Sequence, residues 1–153
     1  MKLFTATALG LALLGAPAFS DGHAFGDAAA GEAVFNKCKT CHSIVDAEGT
    51  AIVKGGKNAP NLYGVYTRVA GTADFKYGKS IVAAGEKGLA WDEEHFLAYV
   101  NDPKKFLAEY LDDKKARSNM SFKLKNEDDV KNVWAYLVSV GPAVEAGATD
   151  SGS

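Results

Sequence analysis

Near the C-terminal end of the chain, Val130, Val133, Trp134, Leu137 and Val138 recur at the spacing that places them along one stripe of a helix. Asn126 stands before this run as a cap, and Glu127, Asp128 and Asp129 fill the first turn, where the helix dipole favours acids. Upstream, Asp92 caps a second helix that carries Phe96, Leu97, Tyr99 and Val100 inward and stops at Asn101-Asp102, ahead of Pro103. A short helix from Pro103 carries Phe106 and Tyr110, and another is expected over residues 79–84. Asp27 caps an alanine-rich helix over residues 28–37. Between these, residues 43–78 are broken by Gly49, Gly55, Gly56, Pro60, Gly64, Gly71 and Gly78, which reads as loops. Nothing alternates with period two, so the pattern predicts an all-α fold.

The first helix runs directly into Cys38-Lys39-Thr40-Cys41-His42, the C-x-x-C-H attachment sequence of c-type haem. Two thiols three positions apart on a tight turn can each add to one haem vinyl group, which sets His42 beneath the iron as proximal ligand. Other readings fall short. A structural zinc site needs four ligands, and beyond this motif the chain offers only His23 and His95, with no third thiol. A thioredoxin-like C-x-x-C belongs near a strand–helix–strand pattern, which the flanks lack. The long loop region would normally count against a compact domain; a bound prosthetic group supplies the surface on which such loops pack.

Residues 1–20 read as a secretory signal: Met1-Lys2, an apolar run from Leu3 to Leu14, and a small-residue exit ending at Ser20, with Ala18 or Ala24 as alternative cleavage points. The apolar run is short for a membrane anchor. Its removal takes away Lys2 and no acid, so the net charge moves from −2 to −3 and bulk nucleic-acid binding is not suggested. The expected organisation is a signal peptide at 1–20, one small domain at 21–142 and a disordered tail at 143–153. The expected location is the periplasm.

The mature chain holds one methionine, Met120, in the polar setting Arg117-Ser118-Asn119-Met120-Ser121-Phe122. A polar setting suits an iron ligand better than a core filler, and Met opposite His raises the reduction potential. His95 is the rival ligand, although a charged, capped helix is the usual place for a surface histidine.

From about Asp27 to Val140 the chain resembles the soluble bacterial class I cytochromes c, relatives of mitochondrial cytochrome c. The resemblance rests on Cys38 to His42, Pro60-Asn61-Leu62-Tyr63-Gly64, Arg68, Phe75-Lys76-Tyr77, Trp91, Tyr99 with Asn101-Asp102-Pro103-Lys104-Lys105, and Met120-Ser121-Phe122. It implies the class I fold, helices and long loops wrapped around one haem c held through Cys38 and Cys41. It further implies that the Pro60 carbonyl accepts a hydrogen bond from His42, that Tyr77 and Trp91 reach a haem propionate with Arg68 balancing its charge, and that Tyr99 bonds near the Met120 sulfur. Three departures stand out: Ala59 where glycine is common, Ile81 where mitochondrial members carry asparagine, and a longer interval from Pro103 to Met120.

The function so implied is that of a monomeric one-electron carrier, with a cytochrome bc-type complex as donor and a terminal oxidase, photosynthetic reaction centre or denitrification enzyme as acceptor. The alternative is a haem enzyme or ligand sensor with an exchangeable sixth ligand. Lys37, Lys39, Lys57, Lys104, Lys105, Lys114, Lys115, Lys123 and Lys125 flank the attachment motif or the methionine segment and form the expected docking face.

Overall fold

The computed structural model describes residues 25–143, so the signal expected at 1–20 and the tail from 144 onward lie outside the described residues. Five helices and one small hairpin follow in the order α1 (Ala28–Phe35), β1 (Ile44–Val45), β2 (Ala51–Val53), α2 (Lys79–Glu86), α3 (Glu93–Asn101), α4 (Pro103–Leu111) and α5 (Glu127–Val140). Local chemistry sets most of the helix starts. Asp27 Oδ1 accepts from the Ala29 and Ala30 amides, Asp92 Oδ1 from His95, Asp102 Oδ1 from Lys105 and Asn126 Oδ1 from Asp129, each satisfying an amide that the first turn leaves without a partner. Pro103 occupies the first turn of α4, where no amide is needed, and α4 ends on Asp112 in the left-handed conformation, φ 52°.

One boundary needs correction. The first helix ends at Phe35 rather than 37, and the remaining residues form the turn that carries the cysteines. The helical fold class stands as expected, with the small β1–β2 hairpin beside the helices. Its strands are too short for an alternation signal, and it is held from outside. Asp46 Oδ1 accepts from the Glu48 and Thr50 amides to close the turn, while Asn61 accepts from Val45 N and donates to Val45 O along the free edge of β1.

The main core joins Phe35, Ile44, Val65, Phe96, Val100, Leu124 and the inner face of α5, with Trp134 fully buried against Phe96. A smaller cluster of Ala84, Leu89, Leu107 and Ala116 lies beneath α2 and α4, and Trp91 and Tyr99 border both. Residues 67–70 run alongside 89–91 through the bonds Thr67 N to Trp91 O, Ala70 N to Leu89 O and Trp91 N to Arg68 O, which fixes Arg68 and Trp91 relative to each other.

Packing between the terminal helices is the most extensive of any helix pair. At the crossing, Gly31 is buried against α5, where a Cβ would overlap the Asn132 carbonyl and crowd the Tyr136 Cβ. Both obstacles sit on a rigid helix. Gly31→Ala is therefore expected to cost at least about 1–3 kcal/mol through overpacking. In a domain of this size each kcal/mol lowers the thermal midpoint by roughly 3–6 °C, measured on the holoprotein by circular dichroism. An unchanged midpoint would mean that the helices are not in close contact there.

Candidate cofactor site

The attachment motif is a turn built from its own amides. Cys38 N and Lys39 N donate to Phe35 O at 2.8 and 3.0 Å, and Cys41 N and His42 N donate to Cys38 O at 3.1 and 3.0 Å. Segment 55–56 crosses behind the turn at backbone distance: Gly56 N donates to Lys39 O, and a Cβ on Gly55 would overlap the His42 carbonyl. Only glycine fits there. Cys38 and Cys41 form no disulfide, Cys38 being half-buried and Cys41 exposed; before attachment, burial pushes the Cys38 thiol up to about 11, with Lys37 opposing the rise.

His42 Nδ1 lies 2.8 Å from the Pro60 carbonyl. A carbonyl only accepts, so Nδ1 carries the proton and Nε2 keeps its lone pair. Burial lowers the His42 pKa below the ordinary histidine value, with the Pro60 bond opposing that shift and Arg68 adding to it. At neutral pH the ring is an uncharged imidazole, the form that binds metals. Ala59 meets no strain: its amide donates to Cys41 O at 3.2 Å, and it is not among the described residues with positive φ.

A cavity of about 420 Å³ opens beside this turn, and all nine candidate residues, Cys38, Cys41, His42, Pro60, Arg68, Tyr77, Trp91, Tyr99 and Met120, line it. Leu62, Val65, Ile81, Phe96, Val100 and Leu124 supply apolar wall. Arg68 is fixed by donating Nη1 to Tyr63 O and Nη2 to Asn61 O, both at 3.1 Å. Tyr77 lies within electrostatic reach of Arg68; burial raises its phenol pKa and the guanidinium opposes the rise. Trp91 meets Tyr99 edge-on, with ring centroids 5.0 Å apart. The Tyr99 hydroxyl bonds to Ser118 Oγ at 3.2 Å, and Ser118 Oγ accepts from Met120 N at 3.1 Å. Tyr99 thus reaches the methionine segment through a serine that sequence reasoning did not single out. The signal was there to read: a serine two residues before a lone methionine can turn back onto its amide.

His95 is elsewhere. It is not among the cavity-lining residues; its Nδ1 pairs with Asp92 Oδ2 at 2.9 Å, and its ring meets Phe106 and Tyr110 edge-on. The long interval before Met120 is also half explained, since α4 occupies residues 103–111 and only 112–126 lack regular structure.

Two thiols on one turn, a neutral imidazole with a free Nε2, a thioether, apolar walls and a fixed guanidinium beside two amphipathic aromatics suit a flat, largely apolar macrocycle carrying acidic groups. The family model for cytochrome c matches residues 28–141. The chain belongs to the cytochrome c family. It is 53% identical over 135 residues to cytochrome c-551 of Roseobacter denitrificans, covering 88% of this chain and 93% of that protein. It is 59% identical over 118 residues to cytochrome c2 of Cereibacter sphaeroides, covering 75% and 95%. Among solved structures, cytochrome c2 from Rhodobacter sphaeroides superposes with a TM-score of 0.75 at 57% identity, covering 78% of this chain and 99% of that one. Cytochrome c2 of Paracoccus denitrificans gives 0.73 at 46%, covering 76% and 98%.

As a cytochrome c of this class the protein is a haem c electron carrier and not an enzyme, with one haem attached covalently. Without its macrocycle the domain leaves the apolar-walled cavity unfilled and the loops around it without a surface to pack on. Cys38→Ala and Cys41→Ala are each expected to yield little stable holoprotein, and the apoprotein should show weak helical circular dichroism. A cooperative, fully helical apoprotein would refute the haem's role as organising core.

Proposed function

We propose that this cytochrome is exported to the periplasm on a cleaved signal at residues 1–20. There it carries single electrons from a cytochrome bc-type complex to a terminal oxidase, photosynthetic reaction centre or denitrification enzyme. Haem c supplies the Fe(III)/Fe(II) couple. Cys38 and Cys41 would hold it covalently, His42 Nε2 and the Met120 sulfur would ligate its iron, and Arg68, Tyr77 and Trp91 would bind its carboxylates, since all of them line the one cavity. The observation that carries this reading is that a histidine with a free Nε2 and the mature chain's one methionine line the same cavity as the two attachment thiols. The bond from His42 Nδ1 to the Pro60 carbonyl orients the ring and raises its basicity as a ligand.

Met120→Ala is expected to lower the reduction potential by on the order of a hundred millivolts or more, because axial ligation sets most of that range. It should also abolish the sulfur-to-iron band of the oxidised protein and let carbon monoxide bind the reduced form. His95→Ala should do none of this. The reverse pattern would make the iron bis-histidine ligated.

Internal pairing narrows the docking face. Lys37 pairs with Asp129, Lys105 with Glu109 and Lys123 with Asp102, while Lys125 donates to Asn101. Lys39, Lys57, Lys104, Lys114 and Lys115 are exposed and make no ion pair among the described residues. These five steer an acidic partner toward the haem. Lys39→Glu combined with Lys104→Glu should slow the second-order reaction with an isolated acceptor complex about ten-fold or more at low salt, with the gap closing as ionic strength rises. A rate indifferent to both charge and salt would remove the steering.

A further inference from the structure

Met120 sits in a segment without regular structure, residues 112–126, yet the segment is held on both sides by four consecutive residues at the end of α3. Tyr99 bonds Ser118 on the upstream side. Downstream, Val100 O accepts from Leu124 N at 3.1 Å, Asn101 Oδ1 from Lys125 Nζ at 3.1 Å, and Asp102 Oδ2 from Lys123 Nζ at 2.6 Å. Asp102 divides its carboxylate between two tasks. Oδ1 caps α4 at the Lys105 amide, and Oδ2 holds Lys123, three residues beyond the methionine. It is partly buried while Lys123 is more exposed, so the pair closes over the segment from outside.

We propose that Asp102 is a positioning residue for Met120: its ion pair with Lys123 keeps the downstream arm of the ligand segment shut, and thereby keeps the sulfur on the iron. This rests on Met120 being the sixth ligand. An external ligand for ferric iron binds only molecules whose segment has swung open, so its apparent affinity reports the open fraction directly. An exposed pair of this kind changes such an equilibrium by about two- to five-fold.

Asp102→Asn separates the two tasks, since asparagine caps a helix as well as aspartate does but brings no charge to Lys123. The experiment titrates the oxidised holoprotein with neutral imidazole at pH 8, following loss of the sulfur-to-iron band, for the wild type, Asp102→Asn, Lys123→Gln and the double variant. Each single variant should bind imidazole about two- to five-fold more tightly, and the double no more tightly than either single, because both remove one shared interaction. Added salt should bring the wild type toward the variants and leave the variants unmoved, while far-ultraviolet circular dichroism stays the same for all four. Unchanged affinity in the single variants, an effect confined to one of them, or additive effects in the double would overturn the role of Asp102. A wild type lacking the sulfur-to-iron band at the outset would instead overturn Met120 ligation, and this proposal with it.

Discussion

The hydrogen bond from His42 Nδ1 to the Pro60 carbonyl is the side-chain member of a set that joins two segments, beside the backbone bonds from Gly56 N to Lys39 O, Ala59 N to Cys41 O and Leu62 N to Ser43 O. On one side is a turn that builds itself from the end of α1. On the other is a glycine- and proline-punctuated stretch with no helix to organise it. Once Pro60 is fixed, Asn61 beside it clamps the edge of the hairpin and accepts from Tyr63 N, and its carbonyl takes one arm of Arg68. Arg68 in turn pairs through its backbone with Trp91, Trp91 packs on Tyr99, and Tyr99 reaches Ser118 and the Met120 amide. The histidine and the methionine are distant in sequence, but a continuous series of directed contacts connects them. Site geometry here is a property of the loops as much as of the helices.

The division of labour explains which features could be read from the residues alone. Asp27, Asp92 and Asn126 announce their helices because a cap acts on amides two or three positions away. The attachment motif is equally local. The hairpin over 44–53 was not legible, since its outer edge is satisfied by Asn61 through a side chain that mimics a strand. Ser118 went unnoticed for a related reason: its importance comes from Tyr99, which a different helix delivers. Of the lysines grouped by their position along the chain, Lys37, Lys105 and Lys123 turn out to spend their charge on acids of this same chain. Composition counts charges, but only the folded arrangement says which remain for a partner.

The methionine segment illustrates order achieved without secondary structure. Its amides and side chains are tied at Ser80, Tyr99, Val100, Asn101 and Asp102, all of them contributed by other parts of the fold. Such a segment can be positioned as accurately as a helix while keeping a lower barrier to local opening, because few of its contacts are cooperative with one another. The site therefore combines one wall set by a rigid turn with another set by separable ties.

The crossing of α1 and α5 at Gly31 has a consequence for biosynthesis. Among the described helices, the one that leads into the cysteines comes first along the chain, and the face that it must bury belongs to the last. Until α5 is made, α1 lacks the helix against which it packs most extensively. A growing chain of this design cannot complete its main core before that helix is present. The core is thus closed by the meeting of the first and last described helices.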